Sequence, residues 1–576
     1  MGNTCWKVAV PAAMMLFATL MGTPRQAEGE DGFPLVAAEL RQMLNRDAAA
    51  LETGVDGGRV LLHDGVAEFY RERQFLPVWL EGQYLNEQAR SLLIVLRQAA
   101  VEGLNPEDYQ VSTLTASAEQ KRFLPSYGKT WDGQGLARLD ILLTNAFLRY
   151  AGHLSRGRVE PGAVYLLEWR TAPKQVDVVK VLKDALEQGR IAEALAELVP
   201  ASSVYVQLRD YLALYRQLAA EGGWPQIPDG RTVRPDEEDW RIPWLRRHLV
   251  RVGDLDESLV AGAPILDPET AAALQRFQSR HGLTGDGVLG PQTLAELNVS
   301  VEERIRQIEI NMERSRWLSG DPGDHYIMVN IADFTLTVVE KGEPVLSMPV
   351  VVGTPFRRTP VFSTRLSYLV FSPFWNVPVS ILRQDKLPLI KSDINYLAAH
   401  HYQIVAWKDF PNRLLDPQNL DWEGISAENF PGLLRQEPGP WNALGRVKFM
   451  LPDSFNIYLH DSPDRHLFER KTRVFSSGCI RIERPLDLAA YLLRNREDWD
   501  EKRIWRAMTA GKPQRVDLQE HLPVHILYRT AWVDGQGRLQ FRRDIYGRDR
   551  DLYAALEGAP APAKAMLASD VRRSSN

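Results

Sequence analysis

The sequence predicts a multidomain α+β protein: a helical scaffold, a second small helical unit, and a mainly β C-terminal domain with an inserted lid. Three observations carry this. Apolar residues recur at helical spacing through the first third of the chain. From Tyr326 the alternation has period two. Between these regions lies the stretch 222–236, with Pro225, Pro228, Gly230 and Pro235. A length of 576 residues allows about four domains. Hydrophobic content of 44% and charged content of 25% exclude a wholly disordered, collagenous or polytopic membrane chain. A net charge of −5 gives no sign of a nucleic-acid partner. The 15 Trp and 18 Tyr could line grooves for sugars or peptides, but an aromatic core accounts for them first.

The elements follow in order. Residues 1–27 carry Lys7, an apolar run from Val8 to Gly22, and Ala27, the pattern of a secretory signal. Arg25 sits where a small residue is wanted, so cleavage and retention as an inner-membrane anchor both stay open. Residues 35–220 read as a helical scaffold, with its widest apolar stripe through Leu139, Leu142, Leu143, Ala146, Phe147, Tyr150 and Leu154. A linker at 222–236 precedes a compact helical unit at 237–300, in which Pro268 and Pro291 each open a helix. A helix from Val301 to Leu318 leads out. In 324–555, Ile327, Val329 and Ile331 alternate with Met328 and Asn330, and a β meander follows. The segment at about 380–440, rich in Pro, Trp and Asn, reads as a lid inserted on the sheet. Strands return at Val447–Leu451 and Phe455–Leu459, a helix begins at Pro485, and strands near Val524–Tyr528 and Leu539–Phe541 close the domain. Residues 556–576 read as a frayed tail.

Several motif matches fail on context. Gly285-Asp-Gly287-Val-Leu-Gly290 fits a dinucleotide fingerprint, but it follows a helix rather than a strand. Ser126-Tyr-Gly-Lys129 fits a serine–lysine motif, but lacks its companion motifs. The 11 His and two Cys form no zinc pattern, and no metal is expected. What remains is Ile457-Tyr-Leu-His460 and Ser476-Ser477-Gly478-Cys479-Ile480-Arg481. If Cys5 leaves with the signal, Cys479 is a single thiol in an oxidising compartment, and its retention needs a reason. In a strand, Cys479 and Arg481 share one face while Ile480 and Ile482 face the core. A thiol beside an imidazole is a nucleophile–base pair. The N–H groups of Gly478 and Cys479 are candidates for an oxyanion hole, and Arg481 for pinning a substrate carboxylate. Against this stands a structural Cys with a surface His and Arg.

Ser-Ser-Gly-Cys-Ile-Arg, with His460 nineteen residues before Cys479, resembles the active-site signature of L,D-transpeptidases, in their large periplasmic subgroup. Val352-Gly-Thr-Pro355, Phe374-Trp-Asn-Val-Pro378 and Pro438-Gly-Pro-Trp-Asn442-Ala-Leu-Gly445-Arg-Val-Lys448 look like it too. The unit at 237–300 resembles a peptidoglycan-binding domain, and the helical region the subgroup's scaffold domain. Ser477 stands where many smaller members have His. A backbone carbonyl near 476–478, or Asp461, is expected to orient His460.

The resemblance implies a cofactor-free reaction. Cys479 attacks the amide between a diamino acid and the terminal D-Ala of a tetrapeptide stem, D-Ala leaves, and a second stem's amine resolves the thioester into a 3→3 cross-link. His460 serves as base, and Gly478 and Cys479 hold the oxyanion. Tyr458, Arg481, Ser477, Trp375, Asn376, Trp441 and Asn442 are expected to contact substrate. Carbapenem acylation, periplasmic location, and stem peptides, glycan strands and other cell-wall synthesis enzymes as partners are implied likewise. Three alternatives stay open: release of D-Ala to water, transfer to a lipoprotein lysine, and a non-catalytic wall-binding scaffold.

Overall fold

The computed structural model describes residues 33–558, except 47–48, 53–58, 124–132, 172, 319–321, 408–412 and 453–454. The expected signal at 1–27, the Ser126–Lys129 motif and the tail beyond 558 lie outside the described residues. No described helix is long and apolar enough to cross a membrane.

Two compact units are distinguished: residues up to 93 with 112–146, and residues 94–111 with 147–576. In the first, Asp140 is fully buried and accepts hydrogen bonds from the Tyr70 hydroxyl (2.5 Å) and the Trp79 backbone (2.8 Å). Thr144 meets Tyr70 and the Trp79 indole at 2.8 Å. This network satisfies the buried Asp140 and Thr144 beside the apolar stripe.

In the second unit the helices start where the prolines predict. Asp267 caps Pro268–Arg280 by accepting from the Thr270 N–H, and Pro291 opens Pro291–Leu297 after Gly290. Gln278 spans the Gly-rich turn, bonding the Gly287 N–H, Val288 carbonyl and Asp286 carboxylate, so that turn is structural. The stretch 222–236 is not a loose linker. Trp224 donates to the Val299 carbonyl, and Ile227 and Val233 enter the small unit's core. The helix Val301–Arg316 carries a Ser300–Glu303 capping box. Its Asn311, Arg314 and Arg316 are buried against Thr530, Asp549 and Glu313 respectively.

The main sheet runs through β1 (His325–Asn330), β2 (Thr335–Glu340), β3 (Glu343–Gly353), β4 (Val361–Phe371), β5 (Val447–Met450), β6 (Tyr458–His460), β7 (Val474–Ser476), β8 (Ile480–Ile482) and β9 (Gln514–Leu527). Its order is β5-β6-β8-β3-β2-β1-β9-β4, with β7 beside β3 and the two-residue strand Trp169–Arg170 beside the start of β4. Because β5 also pairs β4, from Val447↔Phe371 to Met450↔Tyr368, the path closes on itself. Closure removes exposed edges and encloses one core of alternating Val, Ile and Leu. Leu539–Phe541 does not join this sheet. It pairs Ala531–Val533 in a separate hairpin packed on the helices Ser203–Ala220 and Val301–Arg316.

Between Trp375 and Leu444 the inserted segment has a core of its own. Four short strands run in the order Trp375–Asn376, Gly432–Gln436, Tyr402–Ala406, Leu414–Leu415, covered by short helices. It is a small folded subdomain rather than a loop.

Gly353, at the end of β3, fixes the turn beside the thiol loop. A Cβ there would lie 2.0 Å from the Arg357 carbonyl oxygen and 2.9 Å from the Thr359 nitrogen, both backbone atoms. Gly353→Ala is expected to cost at least about 2 kcal/mol through backbone displacement. Thermal melts check this, and an unchanged midpoint would contradict the packing.

Candidate active site

The site is built on one face of β5, β6 and β8. Alternation sends Phe449, Leu459, Ile480 and Ile482 into the core, where none has any exposed surface. The opposite face presents Lys448, Tyr458, His460 and Arg481. Register sets their neighbours. Lys448 pairs with His460 and Met450 with Tyr458 across the antiparallel ladder. Leu459 pairs with Ile480 and His460 with Arg481 across the parallel one. Cys479, one residue before β8, is thereby brought beside Tyr458. The tyrosine hydroxyl hydrogen-bonds the cysteine, and burial followed by the sulfur's charge pushes the phenol pKa up. The Tyr458 and His460 rings meet edge-to-face at 5.7 Å. Cys479 is half-buried and in no disulfide, with its Sγ 4.0 Å from the Asn456 carbonyl.

The loop carrying the thiol is tightly held. Gly478 adopts φ +115°, a conformation that strains any residue with a side chain. Its carbonyl accepts from the buried Thr359 hydroxyl (2.8 Å), which itself accepts from the Gly353 N–H (2.9 Å). Ser476 Oγ accepts from the Gly478 N–H (3.1 Å) and donates to the Cys479 carbonyl. The Gly478 N–H is therefore spent inside the loop, which corrects its expected place in an oxyanion hole. Ser477 accepts from Arg357 Nη1 (2.8 Å), and Arg357 reaches Asp385 of the inserted subdomain with both terminal nitrogens (2.6 and 2.8 Å).

His460 is buried, and its Nδ1 lies 2.6 Å from the Asp461 carbonyl. A carbonyl only accepts, so Nδ1 carries the hydrogen and the lone pair of the neutral ring sits on Nε2. The orienting group is thus the main chain of Asp461, not residues 476–478. The Asp461 carboxylate is engaged elsewhere, accepting from the Arg446 and Ser462 N–H groups. Gly445, at φ +60°, makes room for it, since a Cβ would lie 2.4 Å from the carboxyl carbon. Burial, then the nearby Arg481 charge, lowers the imidazole pKa to about 3, against the raising effect of the Asp461 and Leu444 carbonyls. The ring is neutral at physiological pH.

Other expected contacts fall elsewhere. Arg481 is paired with Asp464 (2.7 Å) and Ser462 (3.3 Å), so it braces the loop after His460 rather than waiting for a carboxylate. Trp375 is buried in the core of the inserted subdomain. Asn442 is fully buried, donating to the Pro373 and Glu437 carbonyls and accepting from the Leu444 N–H, which is a structural role. Trp441 is exposed and stacks on His401 with centroids 3.7 Å apart; Asn376 is exposed at the end of its strand. Lys448, not among the expected site residues, lies on the same face as His460. Its signal was present in the alternation Val447-Lys-Phe-Met450, which places a lysine on the site's face.

Residues 324–516 match the L,D-transpeptidase catalytic domain family, 64–212 the Scaffold domain family, and 241–297 the family described as "Putative peptidoglycan binding domain". A curated Haemophilus influenzae protein named "Putative L,D-transpeptidase" is 38% identical over 279 residues, covering 47% of this chain and 55% of that one. The match thus spans about half of that relative. A solved L,D-transpeptidase from Mycobacterium smegmatis is 16% identical, over 36% of this chain and 60% of that one, with a TM-score of 0.18. One from Stackebrandtia nassauensis is 13% identical over 53% and 96%, with a TM-score of 0.20. The chain is a multidomain α+β protein. One chain thus carries regions that match the Scaffold, putative peptidoglycan binding and L,D-transpeptidase catalytic domain families.

The buried imidazole makes stability depend on pH. Unfolded, His460 takes a proton near pH 6.5; folded, only near 3. Between the two the unfolded chain binds more protons. The ring's contribution is therefore whole above about pH 6.5 and is lost as pH falls toward 3. Relative to His460→Gln, the wild type is expected to lose up to about 1.4 kcal/mol of stability per pH unit between about pH 6 and 4. Urea midpoints of both proteins across that range measure it, and parallel pH dependences would contradict a buried neutral ring.

Proposed function

We propose that the protein is a cysteine-dependent L,D-transpeptidase forming 3→3 cross-links between peptidoglycan stem peptides. The observation that supports it most is the register that sets the Cys479 loop beside the strand bearing Tyr458 and a neutral, oriented His460. His460 takes the thiol proton as Cys479 sulfur attacks the carbonyl carbon of the L-centre preceding the terminal D-Ala. The tetrahedral intermediate collapses, the C–N bond breaks, and His460 returns the proton to the departing D-Ala amine. The thioester is then attacked by the side-chain amine of a second stem, whose proton passes through His460 as the thiol is regenerated. The Cys479 N–H and the Tyr458 hydroxyl are proposed to stabilise the oxyanion. Gly478 contributes the loop geometry rather than a donor.

In this reading residues 35–220 and 237–300 bring the catalytic domain to the wall, the inserted subdomain caps the donor, and the chain works in the periplasm after export. Water, a lipoprotein lysine or a stem amine can each accept the acyl group, and the products separate them.

The test is incubation of the purified protein with disaccharide-tetrapeptide, followed by mass spectrometry. A cross-linked dimer lacking one D-Ala is expected, and Cys479→Ala should reduce it by at least about 10³-fold. Tripeptide monomer alone would select the carboxypeptidase. Turnover surviving in Cys479→Ala, or no turnover together with no carbapenem adduct, would overturn the reading.

A further inference from the structure

We propose that Lys448 is the cation that receives the carboxylate of the acyl donor, the α-carboxylate of the leaving residue. This rests on the acyl-transfer reading above and deepens it by naming the group that selects a donor ending in a free acid.

Several cations surround the thiol. Arg481 is held by Asp464, Arg357 by Asp385, and Arg465 faces Asp461 at 3.5 Å. Each has its counter-charge within the protein. Lys448 is different. Its ammonium pairs with no carboxylate among the described residues, and it lies 5.7 Å from the centre of the Tyr458 ring. It is half-buried on β5, directly across the ladder from His460 and on the same face. Burial pulls its pKa below the ordinary lysine value, and the Cys479 sulfur is the opposing influence.

A half-buried ammonium without a carboxylate partner carries a desolvation cost that the Tyr458 ring and the Cys479 sulfur offset only in part. An incoming carboxylate supplies the rest. The place is suitable, because thiol, phenol and imidazole already converge there. In the proposed donor, the terminal carboxylate lies one residue beyond the carbon that the sulfur attacks. A cation beside the sulfur, on the same strand face, is placed for it. The aromatic face of Tyr458 holds the ammonium in position while leaving its N–H groups for the ligand.

The test compares two alkylating probes of similar shape, iodoacetate and iodoacetamide. Both transfer their carbon to Cys479 sulfur with loss of iodide, and only the first carries a carboxylate. Adducts are read on the peptide containing Cys479, so Cys5 does not interfere. In the wild type, the ratio of iodoacetate to iodoacetamide rates should exceed that of the urea-unfolded chain at the same pH by about tenfold. Salt should erode it. Lys448→Met should bring the ratio to the unfolded value, and Lys448→Arg should keep most of it. A wild-type ratio no higher than that of the unfolded chain overturns the proposal, and needs no variant to fold. Equal losses with both probes in Lys448→Met also overturn it, because the lysine would then act on the sulfur alone. Neither readout requires peptidoglycan turnover. Absence of cross-linking with the ratio intact therefore strikes the transpeptidase reading, whereas cross-linking with a flat ratio strikes this one.

Discussion

Two residue pairs hold the site together: Leu459 with Ile480, and His460 with Arg481, in a parallel ladder only that long. So short a ladder is secured mainly by what lies beneath it. Leu459, Ile480, Ile482 and Phe449 are completely buried in the barrel core, each contributing roughly 1.5–3 kcal/mol. A slip of one residue would drive His460 into hydrocarbon and lift Leu459 to the surface. The apolar side chains thus specify which polar ones can meet. The antiparallel pairing of Lys448 with His460 secures the same strand from its other edge.

Charge is then sorted over this frame. Most arginines near the thiol act as braces. Arg481 joins β8 to Asp464, Arg465 approaches Asp461, and Arg357 joins the thiol loop to the inserted subdomain through Ser477 and Asp385. Arginine suits that work, since its planar fork matches a carboxylate with two parallel bonds. Lysine, a point charge on a flexible stem, lies beside the sulfur with no carboxylate partner among the described residues. Burial lowers the imidazole and lysine pKa values and raises that of the phenol. A substrate that brings charge finds little water competing for it.

Much of this arrangement could be read along the chain. Period two placed Cys479 with Arg481 and buried Ile480 with Ile482, and prolines 268 and 291 marked helix starts. Alternation reports the face a side chain takes, not the partner it finds there. Arg481 sits on the expected face, yet Asp464, seventeen residues earlier in a loop, has already claimed it. Asn442 and Trp375 lie in a segment whose polar and aromatic richness resembles a binding groove. The segment instead folds on itself, and burial makes Asn442 a hydrogen-bonding hub and Trp375 a core residue. Leu539–Phe541 has a good strand pattern, but the sheet it was expected to join is already closed by the β4–β5 pairing. One lysine in a strand, such as Lys448, is ordinary until the structure shows it without a carboxylate partner among the described residues.

The barrel takes in more chain than the family match covers. The family match ends at residue 516, but β9 runs to Leu527, paired with β4 on one side and β1 on the other. Removing its second half would open the barrel and expose the core to water. Farther on, the Tyr546 hydroxyl donates to the Gly353 carbonyl (2.6 Å). The Gly353 N–H is bound by Thr359, and Thr359 by the carbonyl of Gly478. This chain of hydrogen bonds begins after the last barrel strand and ends one residue from the thiol. Arg548, fully buried, adds a bond to the Thr359 carbonyl. The geometry of the Cys479 loop is therefore imposed partly by residues thirty positions beyond the recognised domain. A minimal catalytic fragment has to reach past the helix Arg548–Leu556.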